Sequence, residues 1–447
     1  MEKFDVVVVG GGPAGYPCAI RCAQNGKNVC LIEEMAIGGV CLNRGCIPTK
    51  SLYTISKEVE KTKFKSIKKE ISFSWQDILN EVLTDVVVRL RAGVNMLLKS
   101  YGVKVIKGKG EVKDNHLIKV ENEEIYGENI VIATGSLPLV PDVFKGDERV
   151  INSEQLWNLK ELPESIGIIG GGFIGCEYAS ILNKFGVDVT IYEMVDTLLP
   201  GKDREITSYL KSCFEKRGIK INLGKKIENS KDIKEERIIV AIGRRPNLPQ
   251  IPEEILKEKN WIKTDGKMKT NVENIYAIGD INGKFPLAYV ATKEGETAAE
   301  NISGKEINFE YETIPEVIFT DPQISVCGLT EEKAKEKGIN VKAGKFPYTA
   351  LGRAYADKKT DGFVKIVVNS DTGEVIGTHI IGESATELIS FSTLAVKYKM
   401  SYEKLEKILY CHPTYSESLM EAVFDINKKS IHLPPKRKTK LEKFNRE

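Results

Sequence analysis

The sequence has little histidine, tryptophan and cysteine for its length, and it lacks a hydrophobic run of membrane-spanning length. It holds four His, three Trp and nine Cys in 447 residues. Nine cysteines are too few for a disulfide-built scaffold, and an odd number is typical of a reducing compartment. The apolar run at residues 4–9 has acidic flanks and a glycine loop after it, unlike a secretory signal peptide. We therefore expect a cytoplasmic protein with no membrane partner.

Excess positive charge is also absent from most of the chain. The formal net charge is +2, but residues 428–447 carry a local +6, which leaves −4 for residues 1–427. A body without a basic patch has no footprint for nucleic acid, so we predict no nucleic-acid partner. We expect the basic tail, residues 428–447, to be a solvated end rather than a docking segment. No metal site is predicted.

What the sequence does have is two matching glycine loops. The first, at residues 10–15, follows an apolar run of buried-strand type, and the second, at residues 170–175, follows another such run. Each loop leads into a helical pattern, and an acid, Glu33 or Glu193, lies 23 residues after its first glycine. In this pattern the glycines let the backbone approach a pyrophosphate, and the acid accepts hydrogen bonds from ribose hydroxyls. The repeat therefore predicts two dinucleotide sites.

The order of the remaining segments predicts an α/β chain of three domains. Residues 130–136 and 275–280 each bring a buried strand to a glycine turn, the second ending in Asp280, so residues 272–310 are read as a return to the first domain. The predicted first domain is residues 1–148 with 272–310, the second is residues 149–271, the third is residues 311–427, and the basic tail follows. Only residues 224–236 link two strands of the second domain.

Several local elements are also predicted. We expect helices at residues 51–70 and 75–100, the second capped by Ser74 with Asp77 three residues on. We expect a small antiparallel sheet from residues 103–106, 110–112 and 117–120. The third domain reads as α+β without a glycine loop. Its predicted strands are residues 362–368 and 375–381, and its predicted helices are residues 331–337, 385–398 and 402–408.

A cysteine pair, Cys41 and Cys46, follows a Gly-Gly turn, and Lys50 comes four residues after the second cysteine. The turn predicts a helix start under the pair, where the partial positive charge of the helix N-terminus stabilises a thiolate. Reactive thiols are one reading. A structural disulfide or two buried thiols are the others, and the spacing alone does not decide between them.

His412 is the one histidine that the sequence marks as functional. A proline follows it and fixes the turn, and Glu417 is close enough in sequence to accept its Nδ1 proton. Nε2 would then be free to act as a base. His116, His379 and His432 lie in strand or tail positions, and we interpret them as structural.

Together these motifs resemble the flavin-dependent pyridine nucleotide-disulfide oxidoreductases, and within that family the dihydrolipoamide dehydrogenases. The resemblance covers residues 4 to about 424. It rests on the doubled glycine loop and on the motifs at residues 41–50, 133–136, 241–247, 277–280 and 412–417. It implies an α/β fold with two Rossmann-like dinucleotide-binding domains, for FAD and NAD, and a C-terminal α+β dimerisation domain.

The resemblance also implies the cofactor residues. Those for FAD are Gly10, Gly12, Pro13, Ala14, Gly15, Glu33, Gly39, Lys50, Gly110, Thr134, Gly135, Ser136, Asp280, Leu287, Ala288 and Tyr289. Those for NAD are Gly170, Gly172, Phe173, Ile174, Gly175, Glu193 and Gly243. A carboxylate at position 193 accepts the free 2′-hydroxyl of NAD and repels the 2′-phosphate of NADP, so we predict NAD.

The implied catalytic residues divide between two subunits. Cys41 meets the substrate, Cys46 lies against the flavin, and Glu177 pairs with Lys50 beside it. His412, oriented by Glu417, comes from the partner subunit, so an obligate homodimer is expected. The implied substrate is the dihydrolipoyl group on the lipoyl domain of an acyltransferase, or on the H-protein, of a 2-oxoacid dehydrogenase or glycine cleavage complex.

Other functions stay open at this point. A sister enzyme could reduce glutathione or coenzyme A disulfide, and a preference for NADPH would favour it. Mercuric reductase fits less well, because His412 is present and an extra C-terminal cysteine pair is lacking. A flavoprotein-derived scaffold subunit of a multienzyme complex is the non-catalytic alternative, and the presence of both cysteines and of His412 argues against it.

Overall fold

The computed structural model describes residues 1–59 and 71–435. The end of the predicted helix 51–70 and the tail beyond residue 435 therefore lie outside the described residues. Within the described ranges, no helix is both long enough and apolar enough to cross a membrane.

The described residues form three sheets of five or more strands, with helices packed against them, and two two-stranded sheets. In residues 2–132 the elements are β1 (Glu2–Val9), α1 (Gly15–Gln24), β2 (Val29–Glu33), α2 (Gly39–Asn43), α3 (Cys46–Val59), α4 (Trp75–Asn80), a π-helix (Glu81–Val88), α5 (Arg89–Ser100), β3 (Lys104–Lys107), β4 (Gly110–Val112), β5 (Leu117–Val120) and β6 (Glu123–Ile132). In residues 136–302 they are β7 (Ser136–Pro138), β8 (Val150–Asn152), β9 (Ser165–Ile169), α6 (Phe173–Lys184), β10 (Asp188–Tyr192), α7 (Arg204–Lys216), β11 (Lys220–Asn222), β12 (Arg237–Val240), β13 (Arg244–Pro246), β14 (Lys257–Glu258), β15 (Trp261–Ile262), β16 (Ile275–Ala277) and α8 (Ala288–Ile302).

The remaining elements belong to the C-terminal part of the chain. They are β17 (Glu316–Ile318), β18 (Ile324–Gly328), α9 (Glu331–Glu336), β19 (Val341–Pro347), α10 (Gly352–Ala356), β20 (Phe363–Asn369), β21 (Val375–Ile381), α11 (Ala385–Lys397), α12 (Tyr402–Leu405) and α13 (Glu417–Asp425). Short 3-10 turns lie at Asp142–Phe144, Leu156–Asn158, Ser230–Asp232, Gly279–Asn282 and Tyr348–Ala350.

The first sheet has the order β3-β2-β1-β6-β5-β4, and β16 pairs with β6 in parallel. The helix cap predicted at Ser74 is confirmed, because its hydroxyl accepts a hydrogen bond from the backbone N–H of Asp77. The predicted antiparallel sheet is wrong in one strand: β3 pairs in parallel with β2, whereas β4, β5 and β6 are antiparallel. The reason is that α3 to α5 form a crossover, which returns the chain to the β2 edge in the same direction.

The second sheet, β11-β10-β9-β12-β8, is parallel throughout. Residues 224–236 cross its face with only a short 3-10 turn. Arg149 holds this connection: its Nη1 donates to the carbonyl of Ile233 at 2.8 Å and its Nη2 to that of Ser230 at 3.0 Å. Ile233 packs so tightly on the sheet that a Cβ at Gly167 would lie 2.9 Å from its side chain.

The third sheet is antiparallel in the order β17-β18-β21-β20-β19. The two predicted strands and the helices near residues 331, 385 and 402 are confirmed, with their ends shifted by three residues at most. Strands β17, β18 and β19 and helix α13 were not predicted. Two of these strands are short, and β19 mixes Lys342, Gly344 and Lys345 with its apolar residues, so their hydrophobic pattern is weak.

Two clusters of ion pairs join the helices beside the second sheet to the third sheet, one around Asp321 and one around Lys365. The Asp321 carboxylate lies 2.5 Å from Lys184 Nζ and 3.2 Å from Arg217 Nη1. Burial alone would raise the pKa of Asp321, but Arg217 and Lys184 hold it well below its usual range. Lys365 of β20 pairs with Asp203 at 2.9 Å and with Glu205 at 2.8 Å, at the start of α7.

The part of the basic tail that the structure describes, residues 428–435, is mostly exposed, and some of its side chains contact the folded body. His432 Nδ1 lies 2.8 Å from Glu421 Oε1 of α13, and Leu433 packs against the hydrophobic core of the third sheet and its helices. Local sequence spacing does not reveal this histidine–acid pair, because Glu421 lies eleven residues before His432.

Candidate active site

Cys41 and Cys46 form a disulfide, and both are half-buried. Cys41 lies in α2, and Cys46 is the first residue of α3, so the predicted helix start is confirmed. The other seven cysteines are free, and six of them are buried; only Cys411 is exposed. A sulfur at this helix N-terminus receives the stabilisation that the helix dipole gives to a thiolate.

Lys50 lies one helical turn after Cys46 on α3, and it pairs with Glu177 of α6. Its Nζ is 2.8 Å from Glu177 Oε2 and 3.0 Å from Oε1. Glu177 Oε1 also accepts the backbone N–H of Phe319 at 2.9 Å, and the Lys50 ammonium lies 4.8 Å from the Phe319 ring centre. The pair therefore links α3 and α6 to the segment between β17 and β18, one helical turn from Cys46.

The first glycine loop has no room for side chains. Gly10 adopts a φ of +107°, and a Cβ at Gly15 would lie 1.8 Å from the Gly10 carbonyl oxygen. Glu33 closes the loop: its carboxylate accepts the backbone N–H of Gly11 at 2.7 Å and that of Met35 at 2.7 Å. The loop backbone is therefore open to a close approach by a ligand, as pyrophosphate binding requires.

The surroundings of this loop fit a flavin dinucleotide. The Thr134 hydroxyl is buried, and no hydrogen-bond partner for it exists in the described part of the chain. The Ser136 hydroxyl donates to Asp280 Oδ2 at 2.5 Å. A Cβ at Gly110 would lie 2.8 Å from the Val9 side chain. Both Gly39 and Gly135 adopt positive φ, and Leu287 is the residue before α8. Tyr289 donates to the carbonyl of Pro315.

The second glycine loop repeats this geometry. Gly170 has a φ of +106°, and a Cβ at Gly175 would lie 1.9 Å from the Gly170 carbonyl oxygen. Glu193 accepts the backbone N–H of Gly171 at 2.7 Å and that of Val195 at 3.0 Å. A Cβ at Gly172 or Gly243 would meet no atom within 4 Å, so the crevice there is open. Phe173 and Ile174 form the first turn of α6.

His412 and Glu417 form the predicted contact. His412 Nδ1 lies 2.8 Å from Glu417 Oε1, and Glu417 Oε2 accepts the backbone N–H of Thr414 at 2.9 Å. The His412 side chain is 77% exposed, and its Nε2 has no hydrogen bond within the described residues. Within residues 1–59 and 71–435, no hydrogen bond links His412 to the disulfide of its own chain. This part of the site is therefore separate from the rest within one protomer.

Sequence reasoning missed one link of the site. Glu154 pairs with Arg44, which lies between the two cysteines, and with Arg244, which contacts Ser136. Arg44 and Arg244 lie in motifs that the sequence marks. Glu154 lies in none, and it is 110 residues from one partner and 90 from the other.

Family comparisons agree with this geometry. The model described as "Pyridine nucleotide-disulphide oxidoreductase" matches residues 4–295, and that of the corresponding dimerisation domain matches residues 314–423. The chain belongs to the pyridine nucleotide-disulphide oxidoreductases. The predicted fold class is thereby confirmed: two Rossmann-like dinucleotide-binding domains and a C-terminal α+β dimerisation domain. The dinucleotides of this family are FAD and NAD, and the chain is an oxidoreductase.

Relatives of known identity are similar over nearly the whole chain. A dihydrolipoyl dehydrogenase of Bacillus subtilis is 36% identical over 452 residues, covering 94% of this chain and 96% of the relative. One of Chlamydia muridarum is 36% identical over 465 residues, covering 98% and 100%. Among solved structures, the HOCl-induced flavoprotein disulfide reductase RclA of Escherichia coli superposes with a TM-score of 0.86 at 29% identity, covering 94% and 99%. LpdA of Mycobacterium tuberculosis gives 0.86 at 26% identity, covering 95% and 99%.

Proposed function

We propose that this protein is a dihydrolipoyl dehydrogenase, which oxidises dihydrolipoyl groups through the Cys41–Cys46 disulfide and delivers the electrons to NAD. One observation supports the proposal most directly. Cys46 of the disulfide is the first residue of α3, and Lys50 lies one turn further along this helix. The Lys50 ammonium pairs with Glu177 of the other dinucleotide-binding unit. The similarity to named dihydrolipoyl dehydrogenases over at least 94% of the chain supports the choice of substrate.

The proposed cofactor sites follow the two loops. Gly10, Gly12 and Gly15, with Glu33, Thr134 and Asp280, would hold FAD, and the buried Thr134 hydroxyl supports this assignment. Gly170, Gly172, Gly175, Glu193 and Gly243 would hold NAD. The domain limits, residues 1–148 with 272–310, 149–271 and 311–427, belong to the same proposal. Bound FAD supplies the two-electron route between the protein dithiol and the nicotinamide.

The protein residues perform thiol–disulfide exchange. Nε2 of His412 takes a proton from one dihydrolipoyl thiol, and Glu417 stabilises the imidazolium that forms. The thiolate attacks Sγ of Cys41, which breaks the Cys41–Cys46 bond and leaves Cys46 as a thiolate. The second dihydrolipoyl sulfur then displaces Cys41, which releases the lipoyl disulfide and a Cys41 thiol. The substrate has lost two electrons, and the protein disulfide has gained them.

The exposed histidine supports a shared active site. We propose that His412 and Glu417 complete the disulfide site of the partner subunit in a homodimer. The imidazole is 77% exposed in one protomer, and Leu409 nearby is 97% exposed. Leu394 of α11 and Tyr398, which follows this helix, are exposed at 55% and 73%. A dimer that covers these apolar side chains would bring the base to the sulfur that it serves.

The test is a direct assay. The FAD-loaded protein should reduce NAD with dihydrolipoamide, and Cys41→Ser and Cys46→Ser should each abolish this activity while FAD stays bound. His412→Gln should lower it by about 100-fold or more, the range of a lost general base. A wild-type protein that holds FAD but does not oxidise dihydrolipoamide would contradict the proposal.

A second candidate is a reductase for another disulfide. The likeness to the flavoprotein disulfide reductase RclA favours it. Assays of glutathione disulfide and coenzyme A disulfide with NADH and NADPH would separate the two candidate functions. The first predicts that NADPH is a poor cofactor, because the Glu193 carboxylate should repel its 2′-phosphate. Activity with NADPH and one of these disulfides, without dihydrolipoamide oxidation, would support the second.

Two further parts of the proposal concern location and partners. We propose a cytoplasmic enzyme that serves the lipoyl domain of an acyltransferase or an H-protein. A chain that ends after Pro435 keeps the His432–Glu421 contact, so it should keep full activity with free dihydrolipoamide. Loss of activity toward the lipoyl domain alone in this variant would locate docking in residues 436–447, and unchanged activity would locate it elsewhere.

A further inference from the structure

Glu154 lies where the two dinucleotide-binding units meet, between β8 and the 3-10 turn Leu156–Asn158. Its Oε2 accepts Arg44 Nε at 3.0 Å, and its Oε1 accepts Arg244 Nη2 at 3.0 Å. The side chains of Glu154, Arg44 and Arg244 are 13%, 29% and 16% exposed, so solvent screens these contacts only in part. One carboxylate thus links two guanidinium groups.

Each arginine connects to a different part of the active site. Arg44 lies inside the loop that the disulfide closes, and its carbonyl accepts the indole N–H of the buried Trp157 at 2.8 Å. Arg244 donates from Nε to the Ser136 hydroxyl at 2.6 Å, and this hydroxyl donates to Asp280. The chain of contacts therefore runs from the redox loop to the crevice of the first glycine loop.

We propose that Glu154 is a positioning residue of the redox pair, which holds the loop at residues 41–46 in place when the disulfide is open. In the oxidised protein the covalent bond itself fixes the two sulfurs. In the dithiol that bond is absent, so the contacts of Arg44 with Glu154 and Trp157 keep the loop shaped for closure. A dithiol whose sulfurs are held close together reforms its disulfide more readily.

The proposal makes a prediction about a redox equilibrium. Protein disulfide and reduced dithiothreitol exchange to give protein dithiol and oxidised dithiothreitol, with two electrons and two protons transferred. Glu154→Gln keeps the shape but removes the charge, and it should shift this equilibrium toward the protein dithiol by about threefold to tenfold, as expected for a partly exposed charged hydrogen bond. The measurement is acid quenching of the FAD-loaded protein at several dithiothreitol ratios, followed by alkylation and mass spectrometry.

Matched variants separate this role from a general loss of stability. Glu215→Gln removes an exposed carboxylate that pairs with Lys211 on α7, and it should leave the equilibrium unchanged. Arg44→Met should give the same shift as Glu154→Gln, Arg44→Lys should restore part of it, and the double variant Arg44→Met with Glu154→Gln should be no worse than either alone. If Glu154→Gln does not fold, Glu154→Asp and Arg44→Met give the same test.

The proposal takes the redox role of the disulfide from the proposed function, but its readout needs no lipoyl substrate. Failure of the wild-type protein to oxidise dihydrolipoamide would contradict the proposed substrate and leave the dithiothreitol result to decide on Glu154. An equilibrium within twofold of wild type in Glu154→Gln, or an equal shift in Glu215→Gln, would overturn the role of Glu154.

Discussion

The two dinucleotide-binding units use the same loop but differ in how the surrounding sheet is completed. In both, the terminal glycine of the loop lies against the carbonyl of the first, and the distant Glu closes the loop through a backbone N–H at 2.7 Å. The first unit adds the antiparallel strands β4 and β5, whereas the second has only residues 224–236 under the Arg149 side chain. The comparison indicates that close packing around a phosphate tolerates little change, whereas the far edge of the sheet can be rebuilt.

The largest expected effect comes from adding one methyl group to each loop. Gly15→Ala should prevent stable FAD binding, because the new Cβ would overlap the Gly10 carbonyl at 1.8 Å. Gly175→Ala should keep the flavin spectrum but raise the KM for NAD by about 10- to 100-fold, as overpacking costs of about 1–3 kcal/mol imply. Gly93→Ala is the control, because a Cβ there meets no atom within 4 Å. Loss of FAD in Gly175→Ala would show that the two loops are not independent.

The next effect concerns the contact that holds the second unit on the third sheet. Asp321→Asn should destabilise the protein by about 3–5 kcal/mol near neutral pH, because breaking a buried ion pair leaves a buried cation facing an amide. The pKa of the native Asp321 is depressed, so its stabilisation exists above the unfolded pKa of about 4 and fades as pH falls below that value. Denaturant unfolding of both proteins between pH 3 and pH 7 checks this. A difference that grows toward acid pH would contradict it.

The smallest effect should come from the rebuilt edge of the second unit. Arg149→Met removes the donors to Ser230 and Ile233 and the ion pair with Asp147, and it should cost about 1–2 kcal/mol without changing FAD content. Limited proteolysis should then cleave within residues 224–236. Arg237→Met, which loses one exposed hydrogen bond to Glu148, is the matched control and should behave as wild type. Equal cleavage in both variants would contradict the role of Arg149 in holding residues 224–236 on the sheet.

The parts of the fold that the sequence predicts are those with local patterns. Each glycine loop, its strand and its acid lie within about 30 residues, and backbone geometry restricts which residues fit there. His412 and Glu417 were predicted as a pair for the same reason, since only five residues separate them. The spacing of the cysteine pair does not exclude a structural disulfide, and only its combination with the other motifs favours a redox role.

The parts that were missed depend on contacts between distant residues. The direction of β3 is set by where the long helical crossover returns the chain, not by the apolar residues of β3. Glu154 and Glu421 gain their roles from partners that are close in space and remote in sequence. The strands β17 to β19 are short or mixed in polarity, and each pairs with a strand of the third sheet.

The most direct test of the account is the division of labour between the two cysteines. Rapid mixing of the FAD-loaded protein with dihydrolipoamide should produce the long-wavelength absorbance of a thiolate packed against oxidised flavin, before NADH forms. This absorbance should be present in Cys41→Ser, where Cys46 keeps its thiolate, and absent in Cys46→Ser. An absorbance that persists in Cys46→Ser and vanishes in Cys41→Ser would reverse the two roles, and its absence from the wild-type protein would contradict the proposed mechanism.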